Sequence, residues 1–473
     1  MTASRPAPIQ RLADIVGGEN VLVDEDLRAS HELDWTGRFR GTAACVVRPR
    51  SADEAREVLQ LLAAEGVLVV PQGGNTGLVG GSVPRGGEVV LSTVLLSEVG
   101  EIDPLTLQVT VGAGATLAAV QAAAGRHDLR VAVDFGARDS ATIGGMAATN
   151  AGGTTAVRFG STRAQVVGME AVLPSGAVVS RLRGLLKDNV GYDLPGLLVG
   201  SEGTLALITQ VRLRLIPRPR LRATALIALP GIDAAVAASS ALLRVPSVEA
   251  VELMLQSGMQ LACDHLTRPL PMPDPHGAYL LAEAAGDAPQ EDILAEAVAG
   301  LDGVEDAVLA DDAAGRASLW ALREGHSVAV ASTGIPPHKL DVTLQPALLG
   351  EFIPRCNRAV EQLDPSCRVY TYGHVGDGNM HVNVIGPAPD DERVDETVLG
   401  LVAEMGGSIS AEHGVGVAKA PFLHLGRSAA DIAAMRAVKD ALDPGGVLNP
   451  GVIFPLGEMP SGSGTSGTSA RGS

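Results

Sequence analysis

The stretch Val67–Val83, VLVVPQGGNTGLVGGSV, places five glycines within nine residues (Gly73, Gly74, Gly77, Gly80 and Gly81) directly behind a short β-branched run. The run Val67–Val70 predicts a buried strand ended by the breaker Pro71. Glycines this dense let the backbone take positive φ and let a ligand approach the main chain. Successive N–H groups in such a turn form an anion-binding nest. The stretch therefore predicts a strand end feeding a phosphate cradle; a glycine-rich surface loop without ligand is the plainer alternative. Two familiar cradles are excluded. No lysine follows in the P-loop pattern, and the dinucleotide fingerprint needs a helix directly after it. Here Gly80, Gly81, Pro84, Gly86 and Gly87 follow, so no helix can start.

A chain of 473 residues predicts two or three domains. The net charge of −18 argues against a general nucleic-acid binder, which needs a basic face. It also makes attraction of an anionic substrate a local matter for a few placed Arg or Lys. Cys45, Cys263, Cys356 and Cys367 are scattered without a CxxC pair, which argues against iron–sulfur or zinc-ribbon sites. At this size a disulfide framework is not expected, and a reducing, cytoplasmic location is. MTASRPAPIQRL lacks an apolar signal-peptide core, and no apolar run reaches 18 residues. The Gly/Ser/Thr-rich tail Met459–Ser473 predicts disorder.

Residues 1–40 predict a helical lead-in. Ala44–Val47, Val89–Ser92 and Gln108–Val111 predict strands, Ser51–Glu65 a helix with a Ser51/Glu54 capping box, and Ala115–Ala124 another helix. A second glycine-rich tract spans Asp134–Gly153 and a third Gly191–Thr209, before a strand at Gln210–Ile216. Ser175–Gly176 predicts a plain hairpin turn. Pro217 and Pro219 suggest a domain boundary near 219. From 221 to 425 strand and helix recur in the order of an α+β layer, with helices on one face of an antiparallel sheet. The long helix Ala313–Ala331 carries Arg323. A hairpin is predicted at Arg368–Ile385, and final helices at about 391–406 and 429–442.

The hairpin is the strongest constellation. His374 and His381 flank the turn Val375–Asn379, with Asn383 on the face of His381. Two imidazoles on facing strands can bind one divalent metal, and Glu412 or His413 supplies a third ligand in a His/His/Glu set with an open position. The spacing alone equally suits core or turn histidines. If Glu412 ligates, His413 is free as a general base, since an imidazole titrates near neutrality; a hydrogen-bonded loop residue is the alternative. Arg323 and Lys339 are the cations assigned to an anionic substrate, against solvated surface charges. A metal-dependent hydrolase without flavin and a non-catalytic nucleotide-binding protein stand as readings from other classes.

Six tracts in order resemble the FAD-linked oxidase family of the vanillyl-alcohol oxidase type: Pro71-QGGNTGLVGGSVP, Ile143-GGMAATNAGG, Gly200-SEGTLALIT, Gly373-HVGDGNMHVNV, Ile409-SAEHGVG and Asp443-PGGVLNPG. The resemblance runs from about Asp34 to Phe454. It is strongest to the D-2-hydroxyglutarate dehydrogenase branch, with D-lactate dehydrogenases and the glycolate oxidase flavoprotein subunit as relatives.

The resemblance implies an α+β architecture: a two-subdomain, PCMH-type FAD-binding domain (41–219), a ferredoxin-like antiparallel-sheet cap carrying a metal site (220–425), and a C-terminal return to the FAD domain (426–457). It implies that Pro71, Gly73, Gly74, Asn75, Thr76, Gly77 and Ser82 hold the FAD pyrophosphate. Ser140, Gly144, Gly145, Thr149, Asn150 and Gly153 would line the flavin and its phosphates, and Glu202, Gly203, Ile208 and Asn449 would add contacts. His374, His381 and Glu412 would hold a divalent metal, zinc by preference, with His413 as base. Arg323, Ser327, Lys339 and Asn383 would bind a small anionic 2-hydroxy acid. Asn75 stands in the loop and no flavin-linking histidine is found, which implies non-covalent FAD. Ala206 replaces the usual glycine of its tract, and Met146 a more frequent Asn or Leu; neither removes a polar contact. An electron-transfer flavoprotein, a cytochrome or a quinone would accept the electrons, and the assembly admits a homodimer.

Overall fold

The computed structural model describes residues 5–272, 274–334, 336–388 and 390–456; the expectation for Met459–Ser473 lies outside them. Among these residues no helix is long and apolar enough to cross a membrane. The strand before the glycine-rich loop is Val69–Gln72, two residues beyond the predicted start, and it runs through Pro71. It lies at the end of a four-stranded sheet, beside Glu88–Ser92, then Ala43–Val47 and Val21–Leu22. A proline is tolerated in such an edge strand because one side needs no ladder hydrogen bond. That open side is partly closed by the C-terminal return: Val69 donates its N–H to Val447 O, and Asn449 donates to Val69 O. Helix Ala52–Glu65 packs on this sheet. Ser51 caps it by accepting from Glu54 N, but Glu54 reaches back to Arg50 N, so only half of the capping box forms.

A second four-stranded sheet is antiparallel, in the order Gln108–Gly112, Leu207–Arg214, Val166–Val172, Val178–Arg181. Ser175 and Gly176 turn between Val166–Val172 and Val178–Arg181, with Gly176 at φ +82°. The second glycine tract holds a helix, Ile143–Thr149, that its glycines argue against on propensity. Packing overrides propensity here. A Cβ on Gly144 would come within 2.5 Å of that of Ala113, so only glycine lets the helix lie this close.

The third sheet has seven strands, all antiparallel. Their order is Asp306–Ala310, Leu221–Leu229, Ala278–Gly286, Val248–Leu255, Arg368–His374, Asn379–Ile385, His338–Thr343. Its helices were expected on one face only; they cover both. On one face Ala223, Ala225, Ile227 and Leu229 pack with the helices Ile232–Leu242, Gln290–Ala299, Leu349–Leu363 and Glu392–Glu404. On the other, Leu226, Ala228, Met254, Tyr279 and Leu281 pack against Ala313–Ala331 and the unforeseen helix Gln256–His265. Side chains alternate faces along a strand, so a run that is apolar on both phases marks a sheet buried on both sides. Beyond those two helices, the second face carries the buried carboxylates Glu252 and Asp341.

Candidate active site

The second face gathers its polar residues by strand register. Tyr372 pairs with His381, Tyr370 with Asn383, and His374 with Asn379. On the neighbouring strand Lys339 pairs with Asn383 and Asp341 with His381. Residues directly opposite in an antiparallel pair share a face. Tyr372, His374, His381, Asn383, Lys339 and Asp341 therefore point the same way. Met254 pairs with Tyr372 on the other side, and two residues along, Glu252 meets His374.

Opposite this face the loop 410–416 delivers Glu412 and His413. Asp341 fixes the loop: its Oδ2 accepts from the N–H groups of Ala411, Glu412 and His413 at 3.0, 2.8 and 3.0 Å, and its Oδ1 from Asn379 Nδ2 at 2.7 Å. Glu412 Oε2 accepts from Gly153 N at 2.9 Å. Glu412 Oε1 then faces three imidazoles, with His374, His381 and His413 Nε2 at 3.6, 3.7 and 3.8 Å. These separations exceed a hydrogen bond. Asp341, His381, Glu412 and His413 also offer ligand atoms within 4.8 Å of one another. The Asp341 oxygens already accept four N–H donors, so His374 fits the ligand set better than Asp341.

The electrostatics leave His381 and Glu412 in the forms that ligate, whereas His374 holds a proton that a metal would have to displace. Burial pushes the His381 imidazole down to about 3, so it is neutral at neutral pH. Burial opposes the charge on Glu412, but the His374 ring beside it holds the carboxyl down at about 2. Burial also works against a charged His374, yet Glu252 raises it well above the ordinary histidine range. Glu252 is fully buried and accepts from His374 Nδ1 at 2.5 Å and from Arg323 Nε at 2.6 Å. His413 Nδ1 is buried without a hydrogen bond, 3.9 Å from Asp341 Oδ2.

Arg323 is thus not a free cation. Its Nε is held by Glu252, and its guanidinium lies 4.7 Å from the Tyr372 ring centre. Ser327 Oγ is hydrogen-bonded to Tyr372 Oη at 2.7 Å. Lys339 Nζ lies 4.5 Å from the Trp35 ring centre. Burial lowers Lys339 to about 8, against the pull of Asp34.

One cavity of about 1180 Å³ joins this face to the glycine tracts. It exceeds the usual small-ligand range of about 300–1,000 Å³, which leaves room for a dinucleotide and a small acid together. His374, His381, Glu412, His413, Arg323, Ser327, Lys339 and Asn383 line one part. Pro71, Gly73, Gly74, Asn75, Thr76, Gly77, Ser82, Gly144, Gly145, Thr149, Gly153, Glu202, Gly203 and Ile208 line the rest. Gly77 has open space where a Cβ would stand, which fits a backbone cradle.

Ser140, Asn150 and Asn449 do not line the cavity; they support its walls. A Cβ on Gly74 would collide with Ser140 O. Asn150 Oδ1 accepts from Ser161 Oγ and Arg163 N. Asn449 Nδ2 donates to Gly81 O and Glu202 O at 2.8 and 2.7 Å. Glu202 in turn accepts from Val415 and Gly416 N–H, both at 2.7 Å. Asn75, Asn150, Glu202 and Asn449 all have φ between +44° and +53°, a cost that non-glycine residues carry at sites where geometry is over-determined.

Glu252, Asp341, Tyr372 and Trp35 escaped sequence reasoning. Only Glu252 carried a signal: with Glu249 it is one of two carboxylates inside the otherwise apolar strand VEAVELML.

Residues 43–181 match the family model "FAD binding domain", and residues 218–453 match "FAD linked oxidases, C-terminal domain". The chain belongs to the FAD-linked oxidase family. It is 36% identical to D-2-hydroxyglutarate dehydrogenase of Xanthomonas citri pv. viticola, over 90% of this chain and 93% of that protein. It is 33% identical to the mitochondrial D-2-hydroxyglutarate dehydrogenase of Arabidopsis thaliana, over 93% and 80%. Among solved structures, p-cresol methylhydroxylase with substrate bound superposes with a TM-score of 0.74 at 17% identity, covering 95% of this chain and 96% of that one. The 4-ethylphenol oxidase of Gulosibacter chungangensis gives 0.73 at 20%, covering 95% and 97%. Those two likenesses carry the PCMH-type fold. The chain is an FAD-dependent oxidoreductase of the hydroxy-acid dehydrogenase type.

Proposed function

We propose that this enzyme oxidises D-2-hydroxyglutarate, or a closely similar D-2-hydroxy acid, to the 2-oxo acid, with non-covalent FAD and a divalent metal, zinc by preference. The observation that carries the reading is the shared sheet face: three imidazole Nε2 atoms and a carboxylate converge beside Arg323 and Lys339, in one cavity with the glycine loops. The names of the relatives support the substrate.

FAD, when bound, would supply the redox chemistry, as the acceptor of a hydride from the substrate Cα. The segments 71–82 and 134–155 contain no histidine, cysteine or tyrosine, so they offer no side chain of the usual kind for a covalent flavin link. His374, His381 and Glu412 would hold the metal, whose role is that of a Lewis acid toward the substrate hydroxyl. The N/N/O donor set suits zinc. His413 takes the hydroxyl proton at Nε2, the nitrogen that faces Glu412. The imidazolium so formed is offset by Asp341, 3.9 Å behind its Nδ1. Arg323 and Lys339 orient the carboxylates, Arg323 as a pre-aimed fork and Lys339 as a point charge. The electrons then leave to an electron-transfer flavoprotein, a cytochrome or a quinone. A cytoplasmic location belongs to the same proposal, supported by four cysteines that form no disulfide.

The test is anaerobic flavin reduction by both enantiomers of 2-hydroxyglutarate, lactate and malate, and by glycolate. D-2-Hydroxyglutarate is expected to bleach the flavin fastest. Bleaching by none of the acids would sink the reading. His374→Ala is expected to lose zinc and most turnover while keeping FAD; unchanged turnover would remove the metal.

A further inference from the structure

Among the described residues, the side-chain hydrogen bonds of Glu252 go only to His374 and Arg323, so it sits between the two halves of the substrate site. Its carboxylate is fully buried in the centre of the seven-stranded sheet. One oxygen accepts from His374 Nδ1 at 2.5 Å and the other from Arg323 Nε at 2.6 Å. The two donors come from different elements, the strand Arg368–His374 and the helix Ala313–Ala331. A carboxylate presents acceptors on both oxygens, and no neutral side chain of its shape does.

We propose that Glu252 is a positioning residue that couples metal binding to substrate-anion binding, by fixing the His374 tautomer and the Arg323 fork with one carboxylate. The inference rests on the metal reading given above. Holding the proton on Nδ1 leaves the His374 Nε2 lone pair directed at the Glu412 side, as a ligating imidazole requires. Holding Arg323 through Nε leaves its terminal nitrogens for an anion. Loss of the carboxylate therefore disturbs both sites together.

Glu252→Gln isolates this role. Glutamine keeps the shape but has one acceptor and one NH2 group. With NH2 toward Arg323, donor faces donor and the fork must turn. With NH2 toward His374, the ring must accept at Nδ1 and carry its proton on Nε2, which removes the ligating lone pair. Removing Arg323 resolves the conflict: in Glu252→Gln/Arg323→Met the amide oxygen is free to accept from His374 Nδ1.

The experiment titrates FAD-loaded, chelator-stripped protein with zinc by calorimetry. It then titrates the zinc form with 2-oxoglutarate, read from the flavin absorbance. Glu252→Gln is expected to weaken zinc by about 10–100-fold and 2-oxoglutarate by at least about tenfold, with FAD content unchanged. The double variant is expected to recover zinc affinity to within about threefold of wild type while 2-oxoglutarate stays weak; a merely structural role would not give that recovery. Should Glu252→Gln fail to fold, Glu252→Asp is titrated with both probes, and weakening of both is the expected result. Loss on one probe alone, or no recovery in the double variant, overturns the coupling. A wild-type protein that takes up no zinc removes the underlying reading. A wild type that takes it up while Glu252→Gln does so equally well overturns this inference alone.

Discussion

Asp341→Asn is the sharpest probe of how the loop carrying Glu412 and His413 is held. The wild-type carboxylate accepts three loop N–H groups through Oδ2 and the Asn379 amide through Oδ1. Hydrogen bonds to a charged group contribute about 1.5–3 kcal/mol each, and neutral ones about 0.5–1.5. Neutralising the acceptor of three such bonds removes about 3 kcal/mol if the loop stays docked. The new NH2 group then faces Asn379 Nδ2, donor against donor, and Asn379 is already committed to Val342 O at 3.2 Å. Leaving that buried group unpaired adds about 1–3 kcal/mol. Lys419, buried with its Nζ on Asp341 O at 3.0 Å and 4.0 Å from Oδ2, loses its nearest anion as well. Hydrogen exchange reads such local opening directly. At about 1.4 kcal/mol per factor of ten, amides 411–413 are expected to exchange at least about a hundredfold faster. Turnover should fall while the flavin stays bound, because the loop's ties to the cavity wall, Gly153 N to Glu412 and Val415 and Gly416 N to Glu202, do not run through Asp341. If those three amides keep wild-type protection in the purified variant, Asp341 does not hold the loop and the positioning argument fails.

Lys339 titrates near 8 because burial disfavours its charge. Below that pH its ammonium attracts a carboxylate, and above it the attraction fades. KM for an anionic acid should therefore rise as pH climbs through about 8, and steady-state kinetics of Lys339→Met should show a raised, flatter KM profile; an unchanged profile removes Lys339 from substrate binding. Gly74→Ala should fold poorly or lose FAD, since its Cβ would strike Ser140 O, and flavin content per chain measures it; full occupancy would show that the two loops can part without cost. Asn449→Ala removes two hydrogen bonds that tie Gly81 O and Glu202 O. It should speed FAD release, followed by flavin fluorescence, and an unaltered release rate would show that the clamp is idle.

Residues that act through a local pattern were legible in the sequence, and those that act through a distant partner were not. The hairpin 368–385 announced itself by glycines in its turn and alternating strands, so His374, His381 and Asn383 were found. Asn449 was found through a tract, yet its task differs: it clamps two carbonyls at the wall and does not line the cavity. Arg323, expected to meet an anionic substrate, does line the cavity, but its partner was not legible, since Glu252 lies 71 residues earlier on a strand while Arg323 is on a helix. Asp341 was hidden for the same reason. Its alternation in His338–Thr343 looks ordinary, and its three loop partners lie some seventy residues on.

The two missed carboxylates share a logic. Each is fully buried and each satisfies four or two N–H donors from elements that do not adjoin it in sequence. An uncompensated buried carboxylate is costly, so neither would persist inside an apolar sheet as mere packing. A fully buried Glu or Asp within a sheet strand is therefore a statement about what lies across from it. In this chain Asp341 fixes the loop that bears Glu412 and His413, and Glu252 holds the His374 imidazole and the Arg323 guanidinium. Substitution of either should leave the glycine-lined flavin walls standing and disable the chemistry beside them.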